Sequence, residues 1–136
     1  MRKVLDSWAL LAWLQGEEPA ARRVRKLLDR AEAGQMDLSM SLLNVGEVFY
    51  LLAKRQNPEI AEAFLRDLQG MPIQTRMPTQ RDVLEAARLK GRLAISYAAA
   101  FAVVAARQLN AELVTGDSEL RALADAGLVE LDWLGR

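Results

Sequence analysis

The chain of 136 residues contains neither cysteine nor histidine, and its 18 Lys and Arg balance 18 Asp and Glu. This excludes a disulfide framework, thiolate metal centres and every chemistry that needs an imidazole, from serine-hydrolase triads to zinc-binding helices. Any catalysis must draw on carboxylates, hydroxyls, amines or backbone, and any metal on oxygen ligands, which favours Mg²⁺ or Mn²⁺. The zero net charge lacks the strongly basic signature of many nucleic-acid binders, although it leaves room for a local basic patch. One domain over residues 1–136 is expected at this length, with enough chain to bury a core.

In chain order, Lys3-Val4-Leu5 is a short apolar run ending at Asp6, and Ser7–Gln15 follows with Leu10, Leu11 and Leu14 at helical spacing. Pro19–Ala33 reads as an amphipathic helix, with Ala20, Ala21, Val24, Leu27, Leu28 and Ala31 on one face. Gly34 is its expected stop, and Gln35–Ser39 a strand. Ser41–Gln56 is mostly apolar, as a packed central helix would be. Asn57-Pro58 supplies a cap and first-turn proline for the next helix, which carries Ile60, Phe64 and Leu68 and ends near Gly70. Pro72–Arg76 is a candidate strand between prolines. Thr79 and Asp82 form a T-x-x-D start signal for a helix to about Leu89. An Ala-rich helix at Ser96–Leu109, a strand at Ala111–Thr115, a helix at Ser118–Ala126 stopped by Gly127 and a strand at Leu128–Leu131 complete the chain. Strands separated by helices of this length imply βαβ units. The expected fold is a three-layer α/β/α arrangement around a mostly parallel sheet.

Met1–Leu14 has the basic start and apolar run of a signal peptide, but Asp6 and Trp8 interrupt it and no small-residue cleavage site follows. Leu93–Ala106 is too short and too rich in alanine to span a bilayer. A soluble, cytoplasmic protein with no membrane partner is the expectation.

Ligands of an open parallel sheet bind outside the carboxyl ends of its strands. Asp6 and Asp117 fall at two such ends, each before a helix start that tolerates negative charge. Taken singly, each is better explained as an N-cap. Glu47 lies within Leu42–Leu52, where nearly every neighbour is apolar, so it is expected to be buried and to have a cation or donors nearby. An arginine partner or a carboxylate reaching solvent would account for it as well. Asn44 is one turn earlier on the same face. Together the three acids suggest a hard-cation site.

Val4-Leu5-Asp6-Ser7 before an apolar helix resembles the first motif of PIN domains. Asn44-Val45-Gly46-Glu47-Val48 resembles their N-x-x-E-V helix, Ile95–Ala102 their I-S-Y-A-D-A-F-A helix, and Val114-Thr115-Gly116-Asp117 their T-x-D motif. The ordered set spans essentially the whole chain and is most similar to the VapC branch, toxins of toxin–antitoxin pairs. The resemblance implies a metal-dependent endoribonuclease acting on RNA with Mg²⁺ or Mn²⁺, a VapB-like antitoxin as partner, and a homodimer. Carried over by position, Asp6, Glu47 and Asp117 would be the metal-site acids, Thr115 a hydroxyl near the metal and Asn44 a supporting polar residue.

The chain departs from the pattern at Ala99, where the family has Asp. A methyl group cannot hold a cation, so weak metal binding and very low RNA cleavage are expected of this sequence. An engineered Asp→Ala change that silences a toxic nuclease and a natural degenerate copy both account for it. The alternative function is a non-catalytic binding module that works through its antitoxin or operator.

Arg22, Arg23, Arg25 and Lys26, and likewise Arg81, Arg88, Lys90 and Arg92, could grip RNA phosphates or form solvated faces. Trp13, Phe49, Tyr50 and Trp133 are expected in the core. Trp8, two residues after Asp6 where relatives tend to have a small residue, is the aromatic placed to border the cleft. Broad apolar helix faces leave room for an antitoxin helix or a second copy. A haloacid-dehalogenase-type phosphatase needs D-x-D, but Trp8 stands at the second position. The acidic pair of a receiver domain and the glycine-rich nucleotide loops are both missing.

Overall fold

A computed structural model describes residues 1–135. The chain runs β1 (Arg2–Leu5), α1 (Ser7–Leu14), α2 (Ala20–Glu32), β2 (Asp37–Ser41), α3 (Leu42–Arg55), α4 (Pro58–Leu68) and β3 (Gln74–Arg76). It continues through α5 (Gln80–Arg92), α6 (Tyr97–Leu109), β4 (Glu112–Thr115), a 3-10 turn at Ser118–Leu120, α7 (Arg121–Asp125) and β5 (Leu131–Trp133). All five strands pair in parallel in the order β3-β2-β1-β4-β5.

Side chains alternate across a strand, so each strand feeds two cores. Leu5 and Val114, neighbours across β1 and β4, pack with α1, α2, α3 and α4; Val4 and Leu113 pack with α5, α6 and α7. The expected three layers follow. Among the described residues, no helix is long and apolar enough to cross a membrane.

Helix starts follow the sequence signals. Ser41, Asn57 and Ser96 cap α3, α4 and α6 with their side-chain oxygens, and Thr79 and Asp82 close a capping box on α5. Two strands sit later than expected, for one reason. After α2, the Gly34 N–H donates to Ala31 O and the Gln35 N–H to Arg30 O. After α7, the Gly127 N–H donates to Ala124 O and the Leu128 N–H to Leu123 O. Both glycines have φ 77, the left-handed turn such a helix stop requires. The residues after each glycine are therefore used by the helix end, and the strands begin at Asp37 and Leu131 rather than Gln35 and Leu128. The candidate strand at Pro72–Arg76 pairs only over Gln74–Arg76, and α5 runs on to Arg92.

The edge strand β5 is tied down by charge. Lys3 Nζ of β1 meets Asp132 at 2.6 Å and Glu112 at 3.2 Å, while Arg23 of α2 reaches Asp132 at 2.7 Å. From β1 the chain builds outward to β2 and β3, then returns to the opposite side of β1 for β4 and β5. The order of the strands reverses between β1 and β4, and a crevice opens at their carboxyl ends.

Candidate active site

Asp6 leaves β1 and Asp117 follows β4, so the fold sets both acids at this reversal point. Asp6 occupies the N-cap position of α1 but makes no side-chain cap bond. Its Oδ2 instead accepts a 2.7 Å hydrogen bond from the Thr115 hydroxyl. That hydroxyl also accepts from the Asp117 N–H at 3.0 Å. Thr115 is fully buried at the end of β4, so one side chain joins the two acidic loops. Asp117 does act as a cap, accepting from the Glu119 N–H at 3.0 Å. The simple capping explanation therefore fits Asp117 and fails for Asp6.

Asp6 is buried, and that burial pushes its carboxyl up to about 7. The Thr115 hydroxyl opposes the shift, the charges of Asp117 and Glu47 reinforce it, and the Ser7 backbone N–H opposes it. Among the described residues, no Lys or Arg forms an ion pair with Asp6, Glu47 or Asp117.

Glu47 is half-exposed, which corrects the expectation of burial. α3 buries Asn44, Val45, Val48 and Leu52 and rests Phe49, Leu51 and Ala53 partly against the core, while its apolar Leu42, Leu43 and Tyr50 face outward. An apolar sequence around Glu47 thus did not mean apolar surroundings. The residue still lines the same cleft of about 370 Å³ as Asp6, Asp117 and Ala99. As the side chains stand, no group of three acids among the described residues is placed to share one ion. The cleft gathers the acids without closing them into a ligand cage.

Ala99 lies in the first turn of α6, buried, its N–H donating to Ser96 Oγ at 3.1 Å. Its methyl group forms part of the cleft wall, so a longer side chain here would reach the acids' side of the crevice. Asn44 has another task. It is fully buried, and its Nδ2 donates to Ser7 Oγ at 3.2 Å and to Ala98 O at 2.9 Å. Ser7 Oγ returns a 3.2 Å bond to Asn44 O. Asn44 therefore ties α1, α3 and α6 together beneath the cleft, and its Oδ1 is left buried with no partner.

Trp8 borders the cleft as expected, and Arg55, Gln15 and Glu17 line it as well. A periodic signal for Arg55 exists in the sequence: Glu47, Leu51 and Arg55 recur at i+4 along one stripe of α3, and all three line the cleft. The two expected basic clusters stay outside it. Arg23 is engaged by Asp132 and by Trp133 O, Arg22 pairs with Glu18, and Lys90 donates to Ile95 O.

A central parallel sheet with an acidic crevice at the β1–β4 switch defines an α/β fold whose carboxylates gather at the strand ends. A family model described as the PIN domain matches residues 3–126, and the chain belongs to this family. Among solved structures, it is similar to VapBC2 from Rickettsia felis bound to a promoter DNA fragment, at 14% identity and TM-score 0.72, covering 97% of this chain and 98% of that one. It is also similar to VapC20 of Mycobacterium tuberculosis, described as a sarcin–ricin loop cleaving toxin, at 16% identity and TM-score 0.71, covering 95% and 98%. VapBC-1 from nontypeable Haemophilus influenzae shows 23% identity and TM-score 0.68, covering 98% of each chain. At these identities the likeness is one of fold. No curated protein matches the chain.

Proposed function

We propose that this PIN domain is a VapC-type endoribonuclease toxin whose cleft is intact but whose cleavage is crippled at position 99. The carrying observation is that Asp6, Glu47 and Asp117, from the ends of two strands and one helix, line one cleft without an ion pair to any cation of the described residues. The donors fit a hard cation in chemistry. All are oxygens, and Asp6, pushed up by burial first and by the charges of Asp117 and Glu47 after it, is a carboxylate that a divalent ion would stabilise in its ionised form.

Asp6, Asp117 and Glu47 would hold Mg²⁺ or Mn²⁺. When bound, the ion supplies charge neutralisation at the scissile phosphate and acidifies water for attack on it. Thr115 orients Asp6 through Oδ2 and fixes the Asp117 backbone with the same hydroxyl. Asn44, through Ser7 and Ala98, holds α3 and α6 at the spacing that brings Glu47 and position 99 to one cleft.

Neighbours solved as VapBC complexes, some with DNA, support an antitoxin partner of VapB type. The exposed Leu42, Leu43 and Tyr50 of α3 offer apolar surface to that partner or to a second copy in a homodimer. Action on cellular RNA puts its work in the cytoplasm. The second reading, a non-catalytic module acting through its antitoxin, is favoured by the methyl group of Ala99 in the cleft wall.

Restoring the carboxylate separates them. Ala99→Asp with Mg²⁺ or Mn²⁺ is expected to cleave RNA about 100-fold or more faster than the parent, because even indirect supports of a metal are worth 10–100-fold. EDTA should abolish the gain. An inactive Ala99→Asp protein with unchanged metal affinity overturns the ribonuclease reading.

A further inference from the structure

We infer that Trp8 is a stacking platform for a nucleobase of single-stranded RNA in the cleft, a specificity-determining residue that deepens, and rests on, the ribonuclease reading. The indole lies in the first turn of α1, two residues after Asp6, and lines the cleft beside Asp6 and Asp117. One side is fixed. A Cβ on Gly116 would stand 2.4–2.6 Å from three atoms of the six-membered ring, so the indole rests directly on the backbone of the Thr115-Gly116-Asp117 turn. Only glycine permits that approach.

Part of the remainder is exposed. Trp8 is half-buried and leans on the core of the α1 side. Its N–H meets no acceptor among the described residues, and it is not enclosed as the unpaired N–H of Trp133 is. Trp8 lines a cleft walled by carboxylates, with part of its surface and its N–H left accessible there.

A nucleobase is the occupant that suits such a wall beside phosphate-directed acids. Every base has a π-face, so stacking is tolerant of sequence, and it requires a base splayed out of a helix. Duplex RNA keeps its bases stacked inside and cannot use the platform. Trp8 thus selects for unpaired RNA, and its N–H adds one hydrogen bond to a base edge or sugar.

The chain suits the test because Ala99 allows binding to be measured without cutting. A dye-labelled single-stranded oligoribonucleotide is titrated in Mg²⁺ with the parent, Trp8→Phe and Trp8→Ala, and then with RNAs carrying one abasic position at successive sites. Trp8→Ala should weaken binding about tenfold or more, while Trp8→Phe should retain most of the affinity. One abasic position should cost the parent the same factor and cost Trp8→Ala nothing further. A purely structural role for Trp8 would not create that coupling. The emission lost between parent and Trp8→Phe should be quenched by RNA, a readout that survives if Trp8→Ala fails to fold.

Equal affinity of Trp8→Ala and parent, or losses that multiply at every abasic position, overturns the inference. If Ala99→Asp cuts RNA and adding Trp8→Ala changes neither binding nor cutting, the platform falls and the nuclease stands. If neither the parent nor Ala99→Asp binds or cuts RNA, both fall.

Discussion

Replacing Asp6 by Asn should stabilise the metal-free protein, although it removes the acid at the centre of the site. Burial, joined by the charges of Asp117 and Glu47, moves this carboxyl from 3.8 to about 7. Between those values the folded state keeps the proton that the unfolded state releases, so this group's contribution falls as pH rises from about 4 to about 7. Above 7 both states are ionised and the full penalty applies. A shift of about three pKa units at about 1.4 kcal/mol each is on the order of 4 kcal/mol. Asparagine resembles the protonated acid, and its carbonyl can still accept from the Thr115 hydroxyl. Urea unfolding in EDTA is the assay. At an m-value near 2 kcal/mol/M, Asp6→Asn should raise the midpoint at pH 8 by about 2 M, and the gap should close toward pH 4. Mg²⁺ should stabilise the parent and leave Asp6→Asn unmoved. A variant no more stable than the parent at pH 8, or a gap that ignores pH, refutes the reasoning.

Asn44→Ala strips the donors from Ser7 Oγ and Ala98 O and should cost about 2–4 kcal/mol in urea unfolding; lost metal affinity at unchanged stability would instead make Asn44 a site residue. Gly116→Ala drives a methyl group into the Trp8 ring and should cost about 1–3 kcal/mol, recovered in part by Trp8→Ala in the double variant; a silent Gly116→Ala would show that the ring moves freely.

Asp6 and Asp117 were legible because the strand-end rule concerns topology, and a βαβ sequence pattern sets topology without any knowledge of packing. Glu47 was found for the wrong reason. Its apolar neighbours suggested burial, yet Leu42, Leu43 and Tyr50 face outward, and nothing in a single chain distinguishes a core stripe from surface kept for a partner. Arg55 was not legible from charge pattern alone, since a basic residue at a helix end also complements the helix dipole, although the i+4 stripe from Glu47 marks it. The work of Asn44 depends on a carbonyl 54 residues away, and that of Thr115 on an acid 109 residues away, separations that local patterns do not encode. Strand starts slipped where glycine-based helix stops consumed the next residues.

Anomalous diffraction from crystals of the parent and of Ala99→Asp soaked in Mn²⁺ tests most directly whether positions 6, 47, 99 and 117 make one cation site. The expected result is a Mn²⁺ peak in contact with Asp6 and Asp117, weak in the parent and strong once the restored carboxylate joins it. Mn²⁺ bound only elsewhere, or a cleft empty of metal in saturated Ala99→Asp crystals, contradicts it.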